Sequence, residues 1–257
     1  MRKQIVGSSW KMHINSINMA EETGKDLNKL LSDESRVEMF ILPSFPMIPK
    51  LSEILKNSCI KYGAQNMCYE EKGAFTGEVP PLVLKELGCS YVEIGHAERR
   101  SYFNERDESI NKKVRLAFKY GMIPVVCIGE EERDKKENIG KIKIRSQILW
   151  ALNGLTKEDA QEVILAYEPV WAIGKEEAAS VDYVENMHGY IRDIVKKELG
   201  EEVSKNIRII YGGSVSPENS KELSKKENID GVFVGRFGLR AENFKSIVDN
   251  FKKSKIK

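Results

Sequence analysis

The sequence predicts an α/β fold closed into a single (β/α)8 TIM barrel spanning residues 1–257. Three observations carry that expectation. Eight short apolar runs rich in β-branched residues recur along the chain, and longer amphipathic stretches separate them. No Pro/Gly/Ser-rich linker or shift in composition divides the chain. Strands that alternate with helices pair in parallel, and eight such units closing on themselves give a barrel of about 250 residues. The rival is an open doubly wound sheet. It is disfavoured because no Gly-x-Gly-x-x-Gly turn follows the first run.

In order, the runs lie near Gln4–Trp10, Val37–Leu42, Cys59–Ala64, Tyr91–Gly95, Ile123–Gly129, Val163–Tyr167, Ile207–Tyr211 and Gly231–Gly235. Two of the intervening segments show the helical period plainly. From Asn104 to Gly121, the residues Ile110, Val114, Ala117 and Phe118 form one apolar stripe, and Gly121 stands where a C′ glycine belongs. From Val181 to Leu199, the residues Val184, Met187, Ile191, Ile194 and Val195 share a face, and Gly200 follows. The longest connector, Gln65 to Pro80, is rich in Gly, Glu and aromatic residues, which is unusual for a plain loop.

Composition excludes several function classes. The 41 basic and 39 acidic residues nearly cancel, leaving +2, without the clustered basic excess that nucleic-acid binding requires. No apolar run approaches the ~18 residues that span a bilayer, so no membrane partner is expected. Met1-Arg2-Lys3-Gln4 leads directly into a strand-like run, with no signal-peptide core. Cys59, Cys68, Cys89 and Cys127 lack paired metal-ligand spacing and read as reduced thiols of a cytoplasmic protein. Neither a metal nor a cofactor is expected.

In a barrel of this kind the functional face is the set of strand C-terminal ends, and chemistry-capable residues collect there. Ser9 and Lys11 follow the first run, His96 the fourth and Glu168 the sixth. Gly212, Gly213 and Ser214 follow the seventh, and Gly235 and Arg236 the eighth. Glu168 stands where the run Val163–Ala166 stops, and Pro169 after it forces extended geometry. The apolar Val170–Ile173 then closes on Gly174. This stretch reads as a base beneath a lid, or as a surface glutamate before an ordinary loop. The glycines after the last two runs let backbone N–H groups approach an anion. Ser216-Pro217 reads as the N-cap and N1 of a helix whose dipole would favour it. They read as a phosphate cradle, or as two glycine turns. A helical turn starting at His96 would keep its imidazole neutral and able to donate to a carbonyl. Lys11 would bring positive charge to an oxyanion-forming substrate. A carboxylate base, a neutral acid, a cation and a phosphate cradle suit proton abstraction α to a carbonyl, and an apolar lid would exclude water.

Trp10-Lys11-Met12, Gly63-Ala64-Gln65-Asn66, Gly73-Ala74-Phe75-Thr76-Gly77-Glu78, Gly95-His96-Ala97-Glu98-Arg99-Arg100, Cys127-Ile128-Gly129-Glu130, Ala166 through Gly174 and Tyr211-Gly212-Gly213-Ser214-Val215 stand in that order. With them the chain resembles the triosephosphate isomerase family over nearly its whole length. The resemblance implies a cytoplasmic, homodimeric isomerase of glycolysis and gluconeogenesis acting on a small phosphorylated sugar. It implies Glu168 as base, His96 as electrophile, Lys11 as electrostatic anchor and Glu98 as support for Lys11. It further implies that N–H groups of Gly174, Ser214 and Gly235 hold phosphate, and that the loop around Thr76 docks on a partner subunit.

Departures from the family pattern cluster around the substrate. Ser9 stands where the family has Asn, Ala97 where it has Ser, and Gly235-Arg236 where it has Gly-Gly. Lys175-Glu176-Glu177 replaces the usual lid tip, and Phe237-Gly238-Leu239-Arg240 is also unusual. The Arg236 side chain could add a contact to phosphate or face solvent. Ser9 and Gly-Arg resemble the L-erythrulose-1-phosphate isomerase branch, which implies a substrate one carbon longer as the alternative. A barrel that binds sugar phosphate without catalysis is a third reading.

Overall fold

The computed structural model describes residues 2–131, 137–174 and 178–253. Eight parallel strands form a closed barrel in sequence order. They are β1 (Ile5–Ser9), β2 (Glu38–Leu42), β3 (Ile60–Ala64), β4 (Tyr91–Ile94), β5 (Ile123–Ile128), β6 (Ile164–Tyr167), β7 (Arg208–Tyr211) and β8 (Gly231–Val234). β8 pairs back onto β1 with Ile5 opposite Gly231 and Ser8 opposite Val234, which closes the ring. Each strand lies within one or two residues of its expected run.

The helices follow between strands: α1 (Ile17–Leu31), α2 (Ile48–Ile54), α3 (Pro81–Glu86), α4 (Ala97–Tyr102), α5 (Asp107–Lys119), α6 (Glu137–Leu152), α7 (Lys157–Glu162), α8 (Val181–Leu199), α9 (Glu201–Asn206), α10 (Pro217–Leu223) and α11 (Ala241–Lys253). α8 occupies the expected segment, buries all five residues of the expected face and adds His188 to it. α5 buries Ile110, Val114 and Ala117, and Gly121 beyond it takes φ 67°. The αL glycine returns the Met122 N–H to Ala117 O, so the chain leaves the helix directly into β5. The Gln65–Pro80 connector contains no helix or strand.

Apolar burial occurs in two layers. Val6, Met39, Ile41, Val92, Val126, Leu165 and Ile209 face outward and pack under the helices. Ile5, Phe40, Leu42, Tyr91, Val125, Cys127, Ile164, Ala166, Ile210 and Phe233 meet inside the barrel. At the barrel's N-terminal mouth, Glu38 accepts hydrogen bonds from Tyr91 and Arg208.

Candidate active site

The site is the inward face carried past the strand ends. Side chains alternate along a strand, so the face that holds Ile5, Tyr91, Val125 and Ala166 continues to Ser9, Glu93, Cys127 and Glu168. Gly212 and Gly235 extend the same period beyond Ile210 and Phe233.

Glu168 is buried just past β6, and its N–H bonds Ile128 O. Among the described residues its Oε2 accepts no hydrogen bond. His96 Nε2 lies 3.4 Å from that oxygen. Burial, and then the charge of Glu93, push the Glu168 carboxyl up to about 8, against the opposing pull of Lys11. Glu168 is thus a buried, under-solvated carboxyl and not a surface glutamate.

His96 is the N-cap of α4, and its Nδ1 accepts the Glu98 N–H at 3.1 Å. Nδ1 is therefore unprotonated and the hydrogen sits on Nε2, pointing into the site. Burial, and then the Lys11 charge, hold the ring neutral down to about 4. The helix start supplies the Glu98 N–H that Nδ1 accepts, and burial is the first cause of the neutral ring.

Lys11 Nζ meets Glu98 Oε1 at 2.6 Å. Burial works against its charge, yet the Glu98 bond and the charges of Glu98, Glu168 and Glu93 raise its affinity for the proton above the usual lysine range. Lys11 also has φ 47°, and Ser214 has φ 48°. Only Asn104 joins them as a non-glycine residue at positive φ among the described residues. Such backbone costs on the order of 1–3 kcal/mol and persists where the surroundings over-determine it.

After Glu168, Pro169 leads into one 3-10 turn, Val170–Ala172, and Gly174 takes φ 68°. Ser214 Oγ donates to Ala172 O at 2.9 Å, tying this turn to the β7 end. A Cβ on Gly174 or Gly235 would meet nothing within 4 Å, so both face open space. Ser216 caps α10 and shares a reciprocal capping box with Asn219, whose Nδ2 also bonds Ser214 O. Arg236 begins a 3-10 turn and is exposed. Lys175-Glu176-Glu177, the altered lid tip, lies outside the described residues.

Two contributors escaped the reading of the sequence. Ser9 Oγ donates to Glu93 Oε2 at 2.9 Å, deep in the barrel. The signal for Glu93 was a lone carboxylate inside the apolar run Tyr91–Gly95. Glu130 is buried and accepts from Trp171 Nε1 at 2.8 Å, Tyr183 OH at 3.0 Å and Tyr167 OH at 3.1 Å. It thereby fixes the turn after Glu168 to β6 and α8. Its three donors are distant in sequence, so no local pattern announced it.

Residues 4–251 match the family model described as triosephosphate isomerase. The chain is 45% identical over 249 residues to the triosephosphate isomerase of Clostridium botulinum (strain ATCC 19397 / Type A), covering 97% of this chain and 100% of that protein. It is 43% identical over 248 residues to that of Carboxydothermus hydrogenoformans, with 96% and 98% covered. The corresponding protein of Dictyoglomus thermophilum is 42% identical over 248 residues, with 96% and 99% covered.

Proposed function

The chain belongs to the triosephosphate isomerase family, and from that premise we propose that it interconverts dihydroxyacetone phosphate and glyceraldehyde 3-phosphate through an enediolate. This is an aldose–ketose isomerisation of glycolysis and gluconeogenesis. Glu168 removes the proton α to the carbonyl and returns it to the neighbouring carbon. The Nε2–H of neutral His96 donates to the oxygen that gains charge, and the Lys11 ammonium stabilises the same charge. N–H groups of Gly174, Ser214 and Gly235 hold the phosphate, and the 169–174 turn excludes water. The observation that carries this reading is the 3.4 Å approach of His96 Nε2 to a Glu168 oxygen that accepts no hydrogen bond among the described residues. Glu168→Gln, which keeps the shape and removes the base, is expected to fold normally and lose at least about 10³-fold in kcat. Near-normal turnover in the folded variant refutes the assignment.

Ser9 favours a second substrate. Its hydroxyl is engaged by Glu93, leaving room for a ketose phosphate one carbon longer, such as L-erythrulose 1-phosphate. The ratio of kcat/KM for the two sugars decides between them. A homodimer and a cytoplasmic setting complete the proposal. Met12, Ile17, Leu82, Val83, Tyr102 and Phe103 are exposed apolar side chains on segments that adjoin the strand C-terminal ends, and Thr76 is exposed on the 65–80 loop. Sedimentation at the monomer mass would count against the dimer. The four cysteines are free thiols, as a reducing compartment requires.

A further inference from the structure

Glu93 is a fully interior carboxylate that the isomerisation steps do not use. It lies on β4, three residues before His96. On the β1 side Ser9 Oγ donates to its Oε2 at 2.9 Å. On the β5 side Cys127 Sγ donates to its Oε1 at 4.0 Å, and Cys127 stands opposite Ala166, two residues before Glu168 on the same inward face. Ser9, Glu93, Cys127, Glu168 and His96 thus form one cluster across β1, β4, β5 and β6. The charged groups facing Glu93 are Lys11 beyond β1, Glu98 in α4, Glu105 before α5 and Glu168 beyond β6. Those facing Glu168 are Glu93, Lys11 and Glu98, with His96 neutral. Glu93 and Glu168, both buried beside Lys11, repel one another.

We propose that Glu93 is a positioning residue of the isomerase site: its negative charge, held by Ser9 and relayed past Cys127, sets the basicity of Glu168. Two carboxyls that share a site ionise as a pair rather than independently. With Glu93 ionised, Glu168 gives up its own proton only at higher pH, and the ionised base is stronger. Burial raises Glu93 to about 7, and burial together with the Glu93 charge raises Glu168 to about 8. The inference rests on Glu168 as the base.

The test is the pH profile of kcat/KM for Glu93→Gln against the unmodified enzyme; the titration of the substrate phosphate is common to both. The acid limb is expected to move about one pH unit lower, so that kcat/KM well below the limb rises about threefold once the lower plateau is included. The alkaline plateau is expected to fall about threefold, because a weaker base transfers the proton more slowly. A folded, active Glu93→Gln whose acid limb coincides with that of the unmodified enzyme overturns the proposal. If that variant fails to fold, glutamate carboxyl carbons can be titrated by NMR in the unmodified protein and in Glu168→Gln. In the unmodified protein two carboxyl carbons should titrate at high pH, each curve carrying a second inflection from the other, and in Glu168→Gln the remaining curve should keep its position and lose that inflection; two independent single-step curves in the unmodified protein overturn the proposal. Turnover retained by Glu168→Gln would instead fail the base assignment, so the two readings fail separately.

Discussion

Replacing Gly212 by alanine should separate catalysis from folding. Gly212 follows β7, and its N–H bonds Tyr167 O. A Cβ there would lie 2.6 Å from Glu168 Cγ and 2.7 Å from its Oε1. Carbon atoms in contact sit about 3.5–4.0 Å apart, so the base must retreat by about 1 Å. The obstructing atoms belong to a side chain with rotatable bonds, and Gly212 is not among the glycines at positive φ. The cost to stability should therefore stay at the low end of overpacking, about 1 kcal/mol. The cost to catalysis is larger. A misplacement of about 1 Å at a reacting group lowers the rate about 10²-fold, or about 2.7 kcal/mol. Steady-state turnover of glyceraldehyde 3-phosphate should show a fall in kcat with KM nearly unchanged, because the phosphate contacts remain. Thermal melting should show a shift of only a few degrees. Gly129→Ala is the matched control. Its Cβ would lie 1.9 Å from the backbone oxygen of Glu168, which cannot move aside, so that variant should lose the fold. A well-folded Gly212→Ala with kcat within threefold of the unmodified enzyme would show that Glu168 does not act from this position.

Glu130→Ala removes the acceptor for three donors, each bond to a charged group being worth about 1.5–3 kcal/mol. Relief of the buried charge offsets part of this, so urea unfolding should show a loss of about 3 kcal/mol, with at least tenfold lower kcat/KM as Trp171 and its turn lose their anchor. A loss under about 1 kcal/mol would contradict the anchoring role. Stability should also depend on pH through Glu93, whose folded carboxyl is raised to about 7 from the ordinary 4.5. The folded state then binds more protons than the unfolded state between those values, so the penalty grows as pH rises through that window. Glu93→Gln should be more stable than the unmodified protein by on the order of 2–3 kcal/mol at pH 8, shrinking to under about 1 kcal/mol at pH 4.5. A difference independent of pH would refute that account. His188, kept neutral by burial down to about 3, works with the opposite sign: its contribution is present above about 6.5 and lost as pH falls.

The strands were legible because most of their positions are buried on both faces, so the runs are largely apolar, with exposed Lys61 in β3 and interior Glu93 in β4 as interruptions. The α8 boundaries and the Gly121 and Ser216 termini were legible because caps act over three or four residues. The strand-end residues Lys11, His96 and Glu168 could be picked out singly, yet only the barrel brings them together. What stayed hidden depends on long-range partners. Ser9 reads as a substitution at the substrate; in the fold its hydroxyl serves Glu93, 84 positions away. The short helices α2, α3, α7 and α9 carry too few turns for a period to emerge.

The closure of β8 onto β1 has a consequence for how the protein is made. Ile5 finds Gly231, and the Arg2 guanidinium pairs with Asp230, so the first strand waits for the last. A growing chain that has not reached residue 231 exposes the unpaired backbone of β1 at one side and of β7 at the other. Those two edges are open templates for intermolecular pairing, and contacts of such long sequence separation form slowly. Chaperone demand during synthesis should therefore peak just before the final strand emerges, and chains truncated ahead of β8 should aggregate rather than accumulate as soluble fragments.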